Sequence, residues 1–278
     1  MAVWFSDFDD PAFAAEFAAR RPDRVERVSE RLLPLAGIAH GDRVVDLCCG
    51  PGLLTRRLSA AVGAEGGVVG IDASPAMVAI AERETAGLPN VRIVEGDGYA
   101  VADLIDRPVD HVVSTSAWQN FLTDHERLIG GLERALVPGG RFSFDVRLRT
   151  GSAGAAGAAS WADVAALVRA RVPGVELPPG PSARSRQRYD AAALDRDLAL
   201  LAAHGFRIVA RADDESDATG WADRQSWRLD NWLTRNAPGL TAADRAELVA
   251  EVQRELRPRS GEPGRRSAVY LVAEREAR

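Results

Sequence analysis

A doubly wound α/β fold with a mostly parallel, seven-stranded sheet is predicted by three features of the 278-residue sequence. Short apolar runs of strand length alternate with segments of helical period, the pattern of a parallel sheet with helices on both faces. The first run leads directly into a turn and a helix, "RVVDLCCGPGLLTRRL" at 43–58, with an acid at its end and glycines in the turn. Five such strands are complete by residue 146, and two more follow after the pattern is interrupted.

The elements follow in order. From residue 10 to 36, Phe13, Phe17, Val25, Val28, Leu32 and Leu35 recur at threes and fours, and Pro22 divides the run into two helices. "GIAHGD" is a turn and "RVVDL" a short buried strand. Leu53, Leu54, Leu58 and Val62 mark the next helix, closed by "GAEGG". "VVGID" is the second strand. Ser74 is a suitable N-cap and Pro75 a suitable first residue for the helix "SPAMVAIAERETAG". "VRIVEGD" is the third strand and "VDHVVSTS" the fourth. A helix through Leu128, Ile129 and Leu132 precedes "GGRFSFDV", the fifth. Residues 147–188 break this rhythm with a Gly/Ala-rich stretch, a helix "WADVAALVRARV" and a Pro-rich connection. A helix "DAAALDRDLALLAAHG" and a strand "FRIVARADD" restore it. Residues 215–266 hold an aromatic helix with Trp221, Trp227 and Trp232 and a second helix from "TAADRAELVAEVQREL", and "SAVYLVAERE" is the last strand. The domain reading is a helical segment at 1–40, a core at 41–146, an insertion at 147–188, and completion of the sheet over 189–278 around a helical insertion at 215–266.

The bulk numbers agree with a globular chain: 46% hydrophobic, 27% charged, net charge −5. That balance argues against a general nucleic-acid binder. All 35 basic residues are Arg, which removes Schiff-base and lysine-nucleophile chemistry. The two cysteines, Cys48 and Cys49, are neighbours, so neither a structural disulfide nor a cysteine-rich metal site is expected. No apolar run is long enough to span a membrane and no signal peptide is visible, so the expected setting is a reducing cytoplasm.

In a doubly wound sheet the ligand lies at the C-terminal ends of the strands. Gly50 and Gly52 can take positive φ and admit a ligand close to the backbone, and the next helix points free N–H groups at it. Asp46, Asp72 and Asp97 end three successive strands. Asp72 stands about 20 residues past Gly52, where a carboxylate suits ribose hydroxyls. Asp97 can accept from an exocyclic amine. Each acid alone could be a cap or a turn former; the three together point to a nucleoside. Bulky Leu53 and Leu54 stand where a dinucleotide fingerprint continues toward its third glycine, and the phosphate-loop Lys is absent. An adenosine without pyrophosphate fits best.

These segments resemble the motifs of class I S-adenosylmethionine-dependent methyltransferases, small-molecule type, near the ubiquinone and menaquinone biosynthesis subgroup. "VVDLCCGPG" is similar to their glycine-rich first motif, "VVGIDAS" to the ribose acid, "VEGDG" to the adenine acid, "VDHVVSTSAW" to the fourth-strand motif and "LERALVPGGRFSFDV" to the segment before the fifth strand. The resemblance implies a Rossmann-like sheet and S-adenosylmethionine as cofactor. It implies that Asp46 and the backbone at Cys48, Gly50 and Gly52 face the methionine part, that Asp72 holds the ribose, that Asp97 and Gly98 meet the adenine, and that Ser114 lines the floor below the methyl group. Cys48 departs from the motif's first glycine; the turn tolerates it if that position keeps a negative φ. Both cysteines read as packing residues, with redox sensing as the other reading.

Methyl transfer needs alignment and exclusion of water before it needs a base. His40, His111 and His204 read as structural, and His125, beyond the fourth strand's end, is the candidate base beside its reading as a surface cap. Tyr99, Trp118, Gln119 and Asn120 leave the strands at the site end and are the expected substrate contacts. Acceptor identity is expected to reside in 1–20, 147–188 and 215–266, with 150–160 as a moving lid and Arg184, Arg186 and Arg188 as either acid-recognising or solvated. The expected activity is methylation of a small-molecule acceptor in secondary metabolism. Cofactor-dependent chemistry of another kind, or cofactor binding without catalysis, are the alternatives.

Overall fold

The computed structural model describes residues 8–20, 22–119, 122–149, 161–175, 189–217, 229–230, 233–234, 237–256 and 265–277. Strands run β1 (Arg43–Leu47), β2 (Gly67–Asp72), β3 (Val91–Glu95), β4 (Val109–Ser114), β5 (Leu136–Arg149), β6 (Phe206–Asp217) and β7 (Arg265–Arg275). They form one sheet in the order β3-β2-β1-β4-β5-β7-β6. The pairs β1–β2, β1–β4, β2–β3 and β4–β5 are parallel, with Asp46 beside Gly70 and Val113, and Val113 beside Ser143. At the end of β7, Glu276 N–H donates to the Gly205 carbonyl at 2.8 Å and the Arg275 side chain reaches the Leu136 carbonyl. The end of β7 therefore lies beside the starts of β6 and β5, so β7 runs antiparallel to both.

The expected doubly wound sheet is thus present. The last three strands are longer than expected: β5 starts at Leu136 rather than at the Gly139–Gly140 pair and ends at Arg149, β6 runs to Asp217, and β7 starts at Arg265. Val109 pairs with Leu136 before the register shifts at His111, which lets the extra residues join the ladder.

β1 is central, and Val44, Val45 and Leu47 are fully buried. A strand covered on both faces reads as a continuous apolar run. On one face the helix α2 (Pro22–Ala36) lays Val28 and Leu32 against Val44, Leu54, Leu58, Val113 and Tyr270. The helix α1 (Pro11–Arg20) buries Ala14 on Met77 and Ile80, the latter from α4 (Pro75–Thr85), with Phe8 and Phe17 closing over them edge to face at 5.0 Å. The run divides into two helices at Pro22, as expected, and Pro22 is the first residue of α2, where its missing N–H costs nothing. Ser74 caps α4 through a bond from the Met77 N–H at 3.2 Å and itself donates to the Phe8 carbonyl at 2.6 Å. The helices α3 (Leu53–Val62), α5 (His125–Ala135) and α7 (Ala191–Ala203) complete this unit.

A second compact unit gathers Leu148–Asp190 with Glu215–Ser267. Its core joins Val164 and Val168 of α6 (Trp161–Arg171) to Leu248, Val252 and Leu256 of α8 (Ala242–Leu256), with Leu229, Leu233 and Ala237. Arg171 and Glu251 pair across the two helices at 2.7 Å. Two stretches separate in sequence therefore share one apolar core. Segment 150–160, Arg184, Arg186, Arg188, Trp221, Trp227 and Trp232 lie outside the described residues. Among the described residues no helix is long and apolar enough to cross a membrane.

Candidate functional site

The sheet reverses its order between β1 and β4, and the two non-glycine residues with left-handed backbone among the described residues stand just past those two strands. They are Cys48 at φ 60° and Ser116 at φ 62°. Such residues cost about 1–2 kcal/mol each and gather where function constrains the chain. Cys48 corrects the sequence expectation: it does not keep a negative φ. The turn is built with a cysteine in glycine's conformation, held by the Cys49 N–H bond to the Ile71 carbonyl at 3.0 Å and the Gly52 N–H bond to Cys49 at 3.1 Å.

The two glycines after it have different reasons to be glycine. Gly52, φ 80°, is the N-cap of α3, and a Cβ there would sit 3.2 Å from Ala81 in α4. Gly50, φ 54°, faces open space: a Cβ there would meet nothing within 4 Å. One glycine lets two helices approach, and the other leaves room above the turn.

Of the three expected carboxylates, Asp72 bonds the Gly50 N–H directly. Asp46 is 1% exposed, and its Oδ2 accepts from the Thr55 hydroxyl at 2.6 Å. Burial raises its pKa to about 7, against the opposing Thr55 bond and with help from Asp72. Asp72 accepts from the Gly50 N–H at 2.8 Å on one oxygen and the Ser74 N–H at 3.0 Å on the other. Burial raises its pKa also, opposed by those bonds. Since an ionised carboxylate offers about four acceptor positions, both oxygens keep capacity. Asp97 accepts from the Tyr99 N–H at 3.0 Å and pairs with Arg127 at 3.2 Å. Both partners of that ion pair are more than half exposed, so it is weak and readily exchanged. Gly98 is buried, and a Cβ on it would press on Leu122 at 3.1 Å. Ser114 is 1% exposed and donates to the Leu47 carbonyl at 3.0 Å, tying β4 to β1.

The thiols of Cys48 and Cys49 are pushed well up, by burial first and then by the neighbouring carboxylates. They stay protonated, which supports packing over redox chemistry.

Several expected contact residues are spent elsewhere. Trp118 is fully buried, stacked on Phe144 at 4.5 Å, and its Nε1–H donates to Asp197 at 2.8 Å. It therefore offers no surface to a substrate, a correction to the sequence reading. His125 is corrected in the same way. Its Nδ1 meets Asp197 at 2.9 Å, its Nε2 meets the Trp118 carbonyl at 3.2 Å, and its ring stacks on Trp118 at 4.0 Å. With both nitrogens engaged it is a strut, not a free base. The Gln119 amide accepts from the Arg147 N–H at 2.6 Å and donates to the Arg147 carbonyl at 3.2 Å, so it extends the sheet. Asn120 lies outside the described residues. The Tyr99 hydroxyl accepts from the Asp124 N–H at 3.0 Å, and Arg127 covers its ring at 4.7 Å. His111 sits buried against Asp42 at 3.1 Å, its pKa lowered by burial, and His204 lies between Glu126 and Glu133.

A pair the sequence reading passed over stands at the end of β5. Asp145 is 2% exposed and accepts from the Ser116 N–H at 2.5 Å, while Arg147 follows two residues later on the same face. The signal was available: Phe142, Phe144 and Val146 alternate with Ser143, Asp145 and Arg147, so polar residues recur at period two inside a buried strand. A separate groove of about 500 Å³, lined by Glu133, His204, Gly205 and Arg275, lies at the starts of β5 and β6, the opposite end of the sheet.

Residues 44–140 match the methyltransferase-domain family. Over that stretch the chain carries a methyltransferase domain. A demethylmenaquinone methyltransferase of Staphylococcus aureus strain JH9 is 34% identical over 111 residues, 40% of this chain and 45% of that enzyme. The same figures recur for the strain Newman enzyme, so the chain spans less than half the length of these curated relatives. Among solved structures, an S-adenosylmethionine-dependent methyltransferase from Aquifex aeolicus has a TM-score of 0.51 at 16% identity, covering 95% of this chain and 98% of its own. Phosphoethanolamine N-methyltransferase 2 of Haemonchus contortus, bound to phosphomonomethylethanolamine and S-adenosylhomocysteine, has 0.53 at 16% identity, with 90% of this chain and 53% of its own covered. The cyclase SpnF has 0.52 at 19%, covering 92% and 82%. These likenesses show the fold.

S-adenosylmethionine is the methyl donor that such a domain implies, and the residues present fit it. The methyltransferase domain offers free space at Gly50, acceptor capacity on Asp72 for a diol, and an exchangeable Asp97 for an amine. A matched pair of variants separates the two glycines. Gly50→Asn, tolerated in left-handed backbone, is expected to melt close to the parent while binding S-adenosylhomocysteine at least ~10-fold more weakly. Gly52→Asn is expected to lose about 1–3 kcal/mol of stability through overpacking on Ala81. Thermal unfolding with and without S-adenosylhomocysteine reads both, and an unchanged affinity in Gly50→Asn would move the ligand away from this turn.

Proposed function

We propose that the protein transfers a methyl group from S-adenosylmethionine to a small-molecule acceptor. The observation that carries this is the open space over Gly50, flanked by Asp72, at the reversal of strand order in a methyltransferase domain. In this reading Asp72 holds the ribose hydroxyls, Asp97 and Gly98 meet the adenine, and the backbone at Cys48, Gly50 and Gly52 faces the methionine part with Asp46 behind it. Ser114 and the β4 exit line the acceptor side.

The cofactor supplies an electrophilic methyl on a sulfonium, so the chain's tasks are to bind, orient and keep water out. Preorganisation of the β4 exit serves that end. Ser116 is pinned by Asp145, Gln119 by the Arg147 backbone, and Trp118 by Asp197 and His125. No base is needed for an acceptor whose nucleophile carries a lone pair free of a proton. An acidic chain with pI near 5.5 supports a small acceptor over nucleic acid. A cytoplasmic setting and a place in secondary metabolism complete the reading. The likeness to SpnF shows that this fold alone does not set the chemistry.

The test has two arms. S-adenosylhomocysteine is expected to raise the melting temperature by linkage, and NAD to leave it unchanged. Labelled S-adenosylmethionine is then expected to pass its methyl label to the small-molecule fraction of a cell extract. Tight NAD binding without S-adenosylhomocysteine binding, or label confined to macromolecules, would overturn the reading.

A further inference from the structure

We infer that Arg147 is the acceptor-recognition residue, and that it selects an acceptor bearing a carboxylate; this rests on the methyl-transfer reading above. The guanidinium stands at the C-terminal end of β5, one strand from the β4 exit, with its side chain 24% exposed. Its described contacts run through one nitrogen and are long: Nη2 lies 3.4 Å from the Ser116 hydroxyl and 3.5 Å from the Asp145 carboxylate. Nε and Nη1 make no hydrogen bond among the described residues.

The distances decide how Asp145 is used. It sits 2.5 Å from the Ser116 N–H and a full ångström farther from Arg147. Its principal bond goes to the strained turn, and it orients the guanidinium without saturating it. An arginine with donors to spare is suited to a carboxylate, which accepts two parallel N–H bonds. The same patch includes Tyr270 of β7, 4% exposed, whose pKa is raised by burial and by Asp145 and lowered by Arg147. In a chain of net charge −5 a local cation favours the retention of an acidic acceptor.

The coupling to Ser116 gives Arg147 a second consequence. The Ser116 turn follows directly on β4, so an acceptor held by Arg147 is placed beside left-handed backbone. Binding there would be selective in position as well as in charge.

The experiment uses the full chain. A cell extract is first separated by anion exchange into retained acids and unretained neutral compounds. Each fraction is then assayed with labelled S-adenosylmethionine, and the active acceptor is tested as the acid and as its methyl ester. Label transfer is expected with the retained fraction. Arg147→Gln is expected to raise the acceptor KM at least ~10-fold with S-adenosylhomocysteine affinity unchanged. Arg147→Lys is expected to recover part of the loss, and the ester to bind the parent and Arg147→Gln alike. Label only with the neutral fraction, or an Arg147→Gln enzyme with parental KM, would overturn the assignment while leaving methyl transfer standing. No label with any fraction would overturn methyl transfer and this assignment together.

Discussion

Asp72→Ala is expected to weaken S-adenosylhomocysteine binding by roughly two to four orders of magnitude, the largest effect of any single substitution in the cofactor site. In the proposed complex its carboxylate accepts two ribose hydroxyls, and a hydrogen bond to a charged group is worth about 1.5–3 kcal/mol. Two such bonds give roughly 3–6 kcal/mol, which is that range in Kd. The structure adds a reason for the variant to be worse than the bond count. Asp72 also ties the Gly50 N–H and the Ser74 N–H together, so removing it loosens the glycine turn and the start of α4 at once. Asp72→Asn separates the contributions, since its carbonyl can keep one backbone donor. Calorimetry on both variants, with unfolding of the ligand-free proteins as control, is the measurement. An Asp72→Ala protein with parental affinity would place the ribose elsewhere.

The second large effect is a pH dependence of stability carried by Asp46. Its folded pKa is raised from 3.8 to about 7, chiefly by burial. Between those values the native state keeps a proton that the unfolded chain has released, so stability falls as pH rises. The contribution is fully present below about pH 4 and is lost as pH climbs through about 7. A displacement of that size corresponds to something on the order of 4 kcal/mol. Asp72, raised in the same direction, adds to the slope. Asp46→Asn keeps an acceptor for the Thr55 hydroxyl and carries no charge. It is therefore expected to be less stable than or equal to the parent in acid, and more stable above neutrality. Chemical unfolding of both proteins across that range reads the difference, and parallel curves would refute it.

Much of this architecture was legible in the chain because it depends on local chemistry. The strand–turn–helix at 43–58, the Ser74–Pro75 helix start and the acids at 46, 72 and 97 are written in contiguous residues. Backbone rules for caps, glycine turns and buried strands act over a few positions, so reading them needs no knowledge of neighbours. The order and spacing of those pieces carried the family resemblance as well.

What the sequence could not reveal depends on partners far away in the chain. Trp118, Gln119 and His125 lie at the site end of β4 and look available. Their commitments are to Asp197, the Arg147 backbone and the Trp118 carbonyl, and Asp197 stands 79 residues from Trp118. The sign of φ at Cys48 is of the same kind, because the turn is imposed by ladder bonds to β2 and the packing of Gly52 on α4. So is the common core of α6 and α8, built from two segments that read as separate insertions. The sequence by itself determined which elements form and which acids end the strands, since propensity and turn chemistry are local. Only the tertiary structure decided which polar groups remain free to meet a ligand, because a buried donor or acceptor must find a partner wherever the fold brings one.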